Sequence, residues 1–73
     1  MIIRSQDKQK IATFDKCKAT ESGEVFVNGA FFGNYSTEEK AIKVLDMIED
    51  ACRNMAFTDG AVFRMPADED VEV

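Results

Sequence analysis

Apolar and polar positions along this chain change period once, and that change divides it into two kinds of structure. From the first residue to Tyr35 the apolar positions come in short runs broken by turn residues, the period-2 signature of strands. Met1 to Arg4 is β-prone, and Ser5 to Gln9 (SQDKQ) reads as a polar turn. Lys10 to Phe14 reads as a second strand, with Asp15 and Lys16 as a turn. Cys17 to Glu21 alternates as a half-buried strand does, and Ser22 and Gly23 make the next turn. Glu24 to Val27 and Ala30 to Tyr35 flank Asn28-Gly29, the dipeptide that best tolerates the two positive φ angles of a type I′ hairpin turn. That turn predicts Val27 opposite Ala30, Phe26 opposite Phe31 and Val25 opposite Phe32. Alternation then sets Val25, Val27, Ala30 and Phe32 on one face. Phe26, Phe31 and Tyr35, with Glu24 and Gly33, fall on the other.

After Tyr35 the period becomes helical. Ser36 followed by Glu39 is a capping box, and the helix is expected from about Thr37 to Met55. Ala41, Ile42, Leu45, Ile48, Cys52 and Met55 form its apolar stripe, which Val44 and Ala51 widen. Thr58 to Gly60 breaks the chain, Ala61 to Met65 reads as a last strand, and Pro66 ends it. The expected fold is a small α+β domain over residues 1–66. It comprises an antiparallel β-meander, one amphipathic helix packed on it and a short C-terminal strand, followed by an acidic tail over residues 67–73.

Size sharpens this picture. Seventy-three residues make one domain, and a chain this short buries only about 60% of its unfolded surface. Both faces of the hairpin are apolar near the turn, yet one helix covers one face. Phe26, Phe31 and Tyr35 are therefore the expected interface residues of a homo-oligomer. Charge is unevenly spread within a net of −5. Residues 1–20 hold five basic and two acidic side chains, whereas residues 21–73 hold four basic and twelve acidic. Arg4, Ser5, Lys8 and Lys10 group donors suited to phosphate or a nucleotide edge, with Tyr35 as a stacking partner for a base. The same segment also reads as an ordinary solvated turn.

Several classes of chemistry are disfavoured. The chain has no histidine, and its two cysteines, Cys17 and Cys52, stand alone, so neither an activated nucleophile nor a zinc site is expected. The carboxylates fall on a helix face and a tail, not in an apolar pocket, and there is no phosphate-cradling loop. The expectation is a protein that is not an enzyme and uses no cofactor or metal. The N-terminus lacks the pattern of a signal peptide and no apolar run is long enough to span a membrane, so a cytoplasmic location is expected. An acidic chain argues against direct DNA binding.

Three blocks, IIRSQDK (Ile2 to Lys8), GNYSTEEKAIKVLDMIEDA (Gly33 to Ala51) and VFRMPADEDV (Val62 to Val71), together resemble a family of short proteins from phages and prophages of Gram-positive bacteria. The resemblance covers about half of the chain and departs from the family between Cys17 and Phe32. It implies a phage accessory protein acting in the host cell by stoichiometric binding, with inhibition of a host antiviral defence component as the leading expectation. A sponge for a nucleotide immune messenger, held at a subunit interface, is one alternative. A structural or regulatory phage protein without a defence role is the other.

Overall fold

A computed structural model describes residues 1–55 and 62–73, with the side chain of Met55 outside the description; the expected break at 58–60 and Ala61 also lie outside it. The protein is α+β. In chain order it has β1 (Ile2–Arg4), β2 (Ile11–Thr13), β3 (Cys17–Ala19), β4 (Glu24–Val27), β5 (Ala30–Asn34), α1 (Glu38–Met55) and β6 (Val62–Arg64), then a 3₁₀ turn at Asp68–Asp70.

The strands run in the expected meander-like order but are divided between two sheets. They form two three-stranded sheets, β2-β1-β6 and β3-β4-β5. β1 pairs antiparallel with β2 and parallel with β6, so the last strand closes the first sheet from the far end of the chain. Both sheets and the helix contribute to a single core: Ile3 from β1, Val25, Val27 and Phe32 from the hairpin, Tyr35, then Ala41, Val44 and Ile48 from α1, Met65 and Val71. A shared core suits a chain too short to fill two.

Asn28 and Gly29 both have positive φ (54° and 85°), as the hairpin turn requires. The Asn28 side chain also explains the division into two sheets. Its Oδ1 accepts the amides of Asp15 and Lys16 at 3.0 Å each, and its Nδ2 donates to the Thr13 carbonyl at 2.7 Å. The expected Asp15-Lys16 turn is thus a crossing between sheets, stapled to the hairpin tip.

The hairpin pairs as expected for Val27 with Ala30 and Phe26 with Phe31, but Val25 pairs with Gly33 and not Phe32, because the register shifts between Val25 and Phe26. β5 is also the edge strand of its sheet, with backbone groups that no further described strand takes. Gln6 takes them: its amide donates to the Phe32 carbonyl at 2.8 Å, and its Oε1 accepts the Asn34 amide at 2.9 Å. The extra residue of this β-bulge also reverses the inward–outward order beyond it. Tyr35, expected on the outer face with Phe26 and Phe31, is turned into the core.

The helix and its cap each fall one residue later than expected. Thr37 is the N-cap, its Oγ1 accepting the Lys40 amide at 3.1 Å. The Ser36 amide is instead taken by Asp68 Oδ1 at 2.7 Å. The buried stripe centres on Ala41, Val44, Ile48 and Ala51; Leu45 and Cys52 flank it and Ile42 is 47% exposed. The C-terminal segment read as an acidic tail is docked on the domain. Val71 is buried at 4% exposure, Lys40 Nζ donates to the Asp68 carbonyl at 3.0 Å, and the Lys40–Asp68 ion pair spans 3.5 Å.

Candidate functional site

Strand register builds the most distinctive outer surface. Lys18 on β3 pairs with Phe26 on β4, which pairs with Phe31 on β5. Their neighbours Val25, Val27 and Phe32 enter the core, so alternation turns Lys18, Phe26 and Phe31 outward. The two rings meet edge to face, with centroids 6.0 Å apart and planes at 78°. Lys18 Nζ lies 5.7 Å from the Phe26 centroid. Lys10, arriving from the β1–β2 loop, sets its Nζ 5.7 Å from the Phe31 centroid. The result is a row of four side chains, Lys18–Phe26–Phe31–Lys10, with a cation over each ring. Phe31 is 39% exposed. Beside the row, a cavity of ≈ 250 Å³ is walled by Lys16, Cys17, Lys18, Phe26 and Gly29.

Two interface residues expected from sequence, Phe26 and Phe31, therefore stand together at the surface. The third, Tyr35, does not join them. It is 2% exposed, and its hydroxyl donates to the Pro66 carbonyl at 2.8 Å. Burial pushes its phenol far above the usual value, and Asp68 adds to the rise. Tyr35 offers no ring face to a ligand and no contact to a second subunit; it closes the core under the C-terminal segment.

The Arg4 to Lys10 segment divides the same way. Ser5 is buried, and its hydroxyl accepts the Lys10 amide at 3.0 Å and donates to Asp7 Oδ1 at 2.6 Å. Asp7 Oδ1 also accepts the Gln9 amide at 3.0 Å. The Ser5 hydroxyl, followed by the Gln9 amide, holds the Asp7 carboxyl below the usual carboxylate range. Arg4 donates from Nε and Nη2 to the Lys8 carbonyl at 3.2 and 2.9 Å. Ser5 is thus committed to shaping the loop and is not a ligand donor, a correction forced by its burial. Lys8 and Lys10 remain exposed, but they serve different surfaces: Lys10 sits over Phe31, while Lys8 shares a wall with Arg4.

Cys17, half-buried beneath this face, has its thiol pushed up by burial and further by neighbouring Cys52, so the unreactive thiol form prevails at neutral pH. Among the described residues no group of three His, Cys, Asp or Glu side chains is arranged as a metal site. No described helix is long and apolar enough to cross a membrane. The face and its lysines were legible in part: the Asn-Gly turn put Phe26 opposite Phe31, but nothing local signalled that Lys18 and Lys10 would flank them. No protein-family model, curated protein or solved structure matches the chain.

Proposed function

We propose that the protein acts without chemistry of its own, by stoichiometric binding through the outer face of β3, β4 and β5. The observation that carries this reading is the row Lys18–Phe26–Phe31–Lys10, a surface aromatic pair, Phe31 exposed and Phe26 half-buried, bracketed by ammonium groups. Exposed aromatic rings held on rigid strands supply contact area at little entropic cost, and flanking cations set orientation and steer an acidic partner. In a chain of net charge −5 this cationic patch is local, so it selects an acidic surface and does not attract polyanions at large. In the phage setting that the sequence resemblance implies, the partner is a host defence component, and the protein is its inhibitor. Self-association through the same rings competes with that partner for one surface.

The test is a host that carries the defence system and is challenged with a sensitive phage. Expression of the wild-type chain restores plaques, and Phe31→Glu or Lys18→Glu, each folded by circular dichroism, does not. Size-exclusion chromatography with light scattering of the purified chain reads the competing self-association. Full activity in both variants, with an unchanged oligomeric mass, overturns the assignment of this face.

A further inference from the structure

Parallel pairing of β1 with β6 sets Arg4 directly opposite Arg64. Neighbouring strands lie about 4.8 Å apart, and like charges opposite each other repel and destabilise a sheet. Lys8 adds a third cation, and it sits at φ 67°, a left-handed conformation that an ordinary side chain adopts at a cost. Arg4, Ser5, Lys8, Arg64 and Met65 together wall a cavity of ≈ 250 Å³. The chain has fourteen acidic and nine basic side chains, yet among the described residues three basic and no acidic ones line this cavity. The nearest carboxylate in sequence, Asp7, is not in the cavity wall, and its Oδ1 accepts the Ser5 hydroxyl and the Gln9 amide. Two Arg4 donors are spent on the Lys8 carbonyl, which fixes the guanidinium and leaves its other N–H groups. Among the described residues Arg64 has no ion-pair partner within 4.0 Å.

We propose that this cavity binds the phosphate group of a small phosphate ester. Paired guanidiniums match tetrahedral oxyanions through bidentate, charge-assisted hydrogen bonds, and the Lys8 ammonium adds a point charge. An anion between Arg4 and Arg64 removes the repulsion that the strand pairing imposes. The cavity falls below the roughly 300–1,000 Å³ of pockets that enclose a whole ligand, so it takes the phosphate and leaves the rest of the ester outside. The acidic helix and C-terminal segment repel a long polyanion, so a small molecule fits better than a nucleic acid strand.

The experiment titrates the full chain with inorganic phosphate, AMP and glycerol phosphate against sodium chloride of equal ionic strength, reading backbone amide NMR shifts and Tm. Expected are saturable shifts at Arg4, Lys8 and Arg64 and a rise in Tm of about 5–10 °C at ten times Kd. AMP and glycerol phosphate bind at least as tightly as inorganic phosphate, and chloride does neither. Arg64→Gln weakens phosphate binding by about tenfold or more, while its Tm without phosphate equals or exceeds that of the wild type, because a repulsion is gone. A structural arginine predicts the opposite sign. The proposal is overturned if Arg64→Gln lowers the ligand-free Tm and keeps the phosphate response, if chloride is as effective, or if a single-stranded oligonucleotide binds where phosphate and AMP do not. Phe31→Glu keeps the phosphate response in full, which separates this site from the aromatic face.

Discussion

Asn28 is exposed, and exposed substitutions outside special features usually change stability by no more than about 0.5 kcal/mol. As a turn residue alone it is replaceable by glycine, which adopts positive φ freely. The structure predicts otherwise. Asn28→Gly removes three hydrogen bonds, two from the Asp15 and Lys16 amides to Oδ1 and one from Nδ2 to the Thr13 carbonyl. Each such bond contributes about 0.5–1.5 kcal/mol net, and solvent access at this site favours the lower half of that range. The relief of left-handed strain and the extra unfolded-state freedom of glycine oppose each other and nearly cancel. The loss is then about 2 kcal/mol, out of roughly 4–11 kcal/mol for a domain of this size.

That loss corresponds to a fall in Tm of about 8–16 °C. It is readable by urea unfolding with far-UV circular dichroism, and independently by tyrosine fluorescence, since Tyr35 is the one tyrosine and there is no tryptophan. Asn28→Asp keeps the acceptor for the two amides and loses the bond to Thr13, so it falls between wild type and Asn28→Gly. A Asn28→Gly variant within about 0.5 kcal/mol of wild type would refute the staple. Asn28 would then be a turn residue only, and the separation of the two sheets would need another cause.

Gly23→Ala should fail to fold or lose most of its helical circular dichroism: Gly23 has φ 89°, and a Cβ there would collide with the Tyr35 backbone carbonyl, which cannot retreat like a flexible side chain. Val71→Ala should cost about 1–2 kcal/mol by chemical denaturation, since Val71 is buried; a loose C-terminal segment would cost nothing. The Ser36 amide, aided by Lys40, and the Ser5 hydroxyl with the Gln9 amide lower the Asp68 and Asp7 carboxyls respectively in the folded state. Their contribution is present above the unfolded aspartate value near 3.9 and is lost as pH falls through the lower folded values. Tm measured from pH 6 down to about 2.5 should therefore drop less steeply in an Asp7→Asn/Asp68→Asn double variant than in wild type, and parallel curves would contradict the assignment. Phe31→Glu should leave the fold intact with a modest loss of about 1 kcal/mol from its edge-to-face contact, while abolishing partner binding.

The elements whose cause is local were legible in the sequence. Asn28-Gly29 marks its turn because few dipeptides accept two positive φ angles, and the helical period from Ala41 to Cys52 announces α1. What could not be read depends on partners distant in sequence. The β5 bulge is stabilised by Gln6, 28 residues before Asn34, and by the close packing of Gln6 and Met65 over Gly33, where no Cβ intervenes. Without that bulge, Tyr35 belongs outside; with it, Tyr35 belongs inside. The helix is capped by Thr37 and not Ser36, and Asp68, 32 residues on, holds the Ser36 amide. The Arg4–Arg64 juxtaposition needs a parallel strand pair closed from the end of the chain, which no local pattern encodes.

The alternation in β3, β4 and β5 separates two tasks residue by residue. Inward positions are fixed by the shared core: Val25 and Val27 are fully buried, and Phe32 nearly so. A change at any of them costs stability before it touches a partner. Outward positions Lys18, Phe26 and Phe31 are held in register by that core but contribute little to it, so they are free to match whatever the face meets. Substitutions at the two sets should therefore diverge in kind. Val27→Ala should lower Tm while leaving the affinity of the folded protein unchanged. Lys18→Glu should leave Tm nearly unchanged while cancelling the positive charge of the row and abolishing an acidic partner's binding. If affinity instead tracks stability across both sets, the contact is made through some other part of the surface, and the aromatic row is merely the back of a sheet.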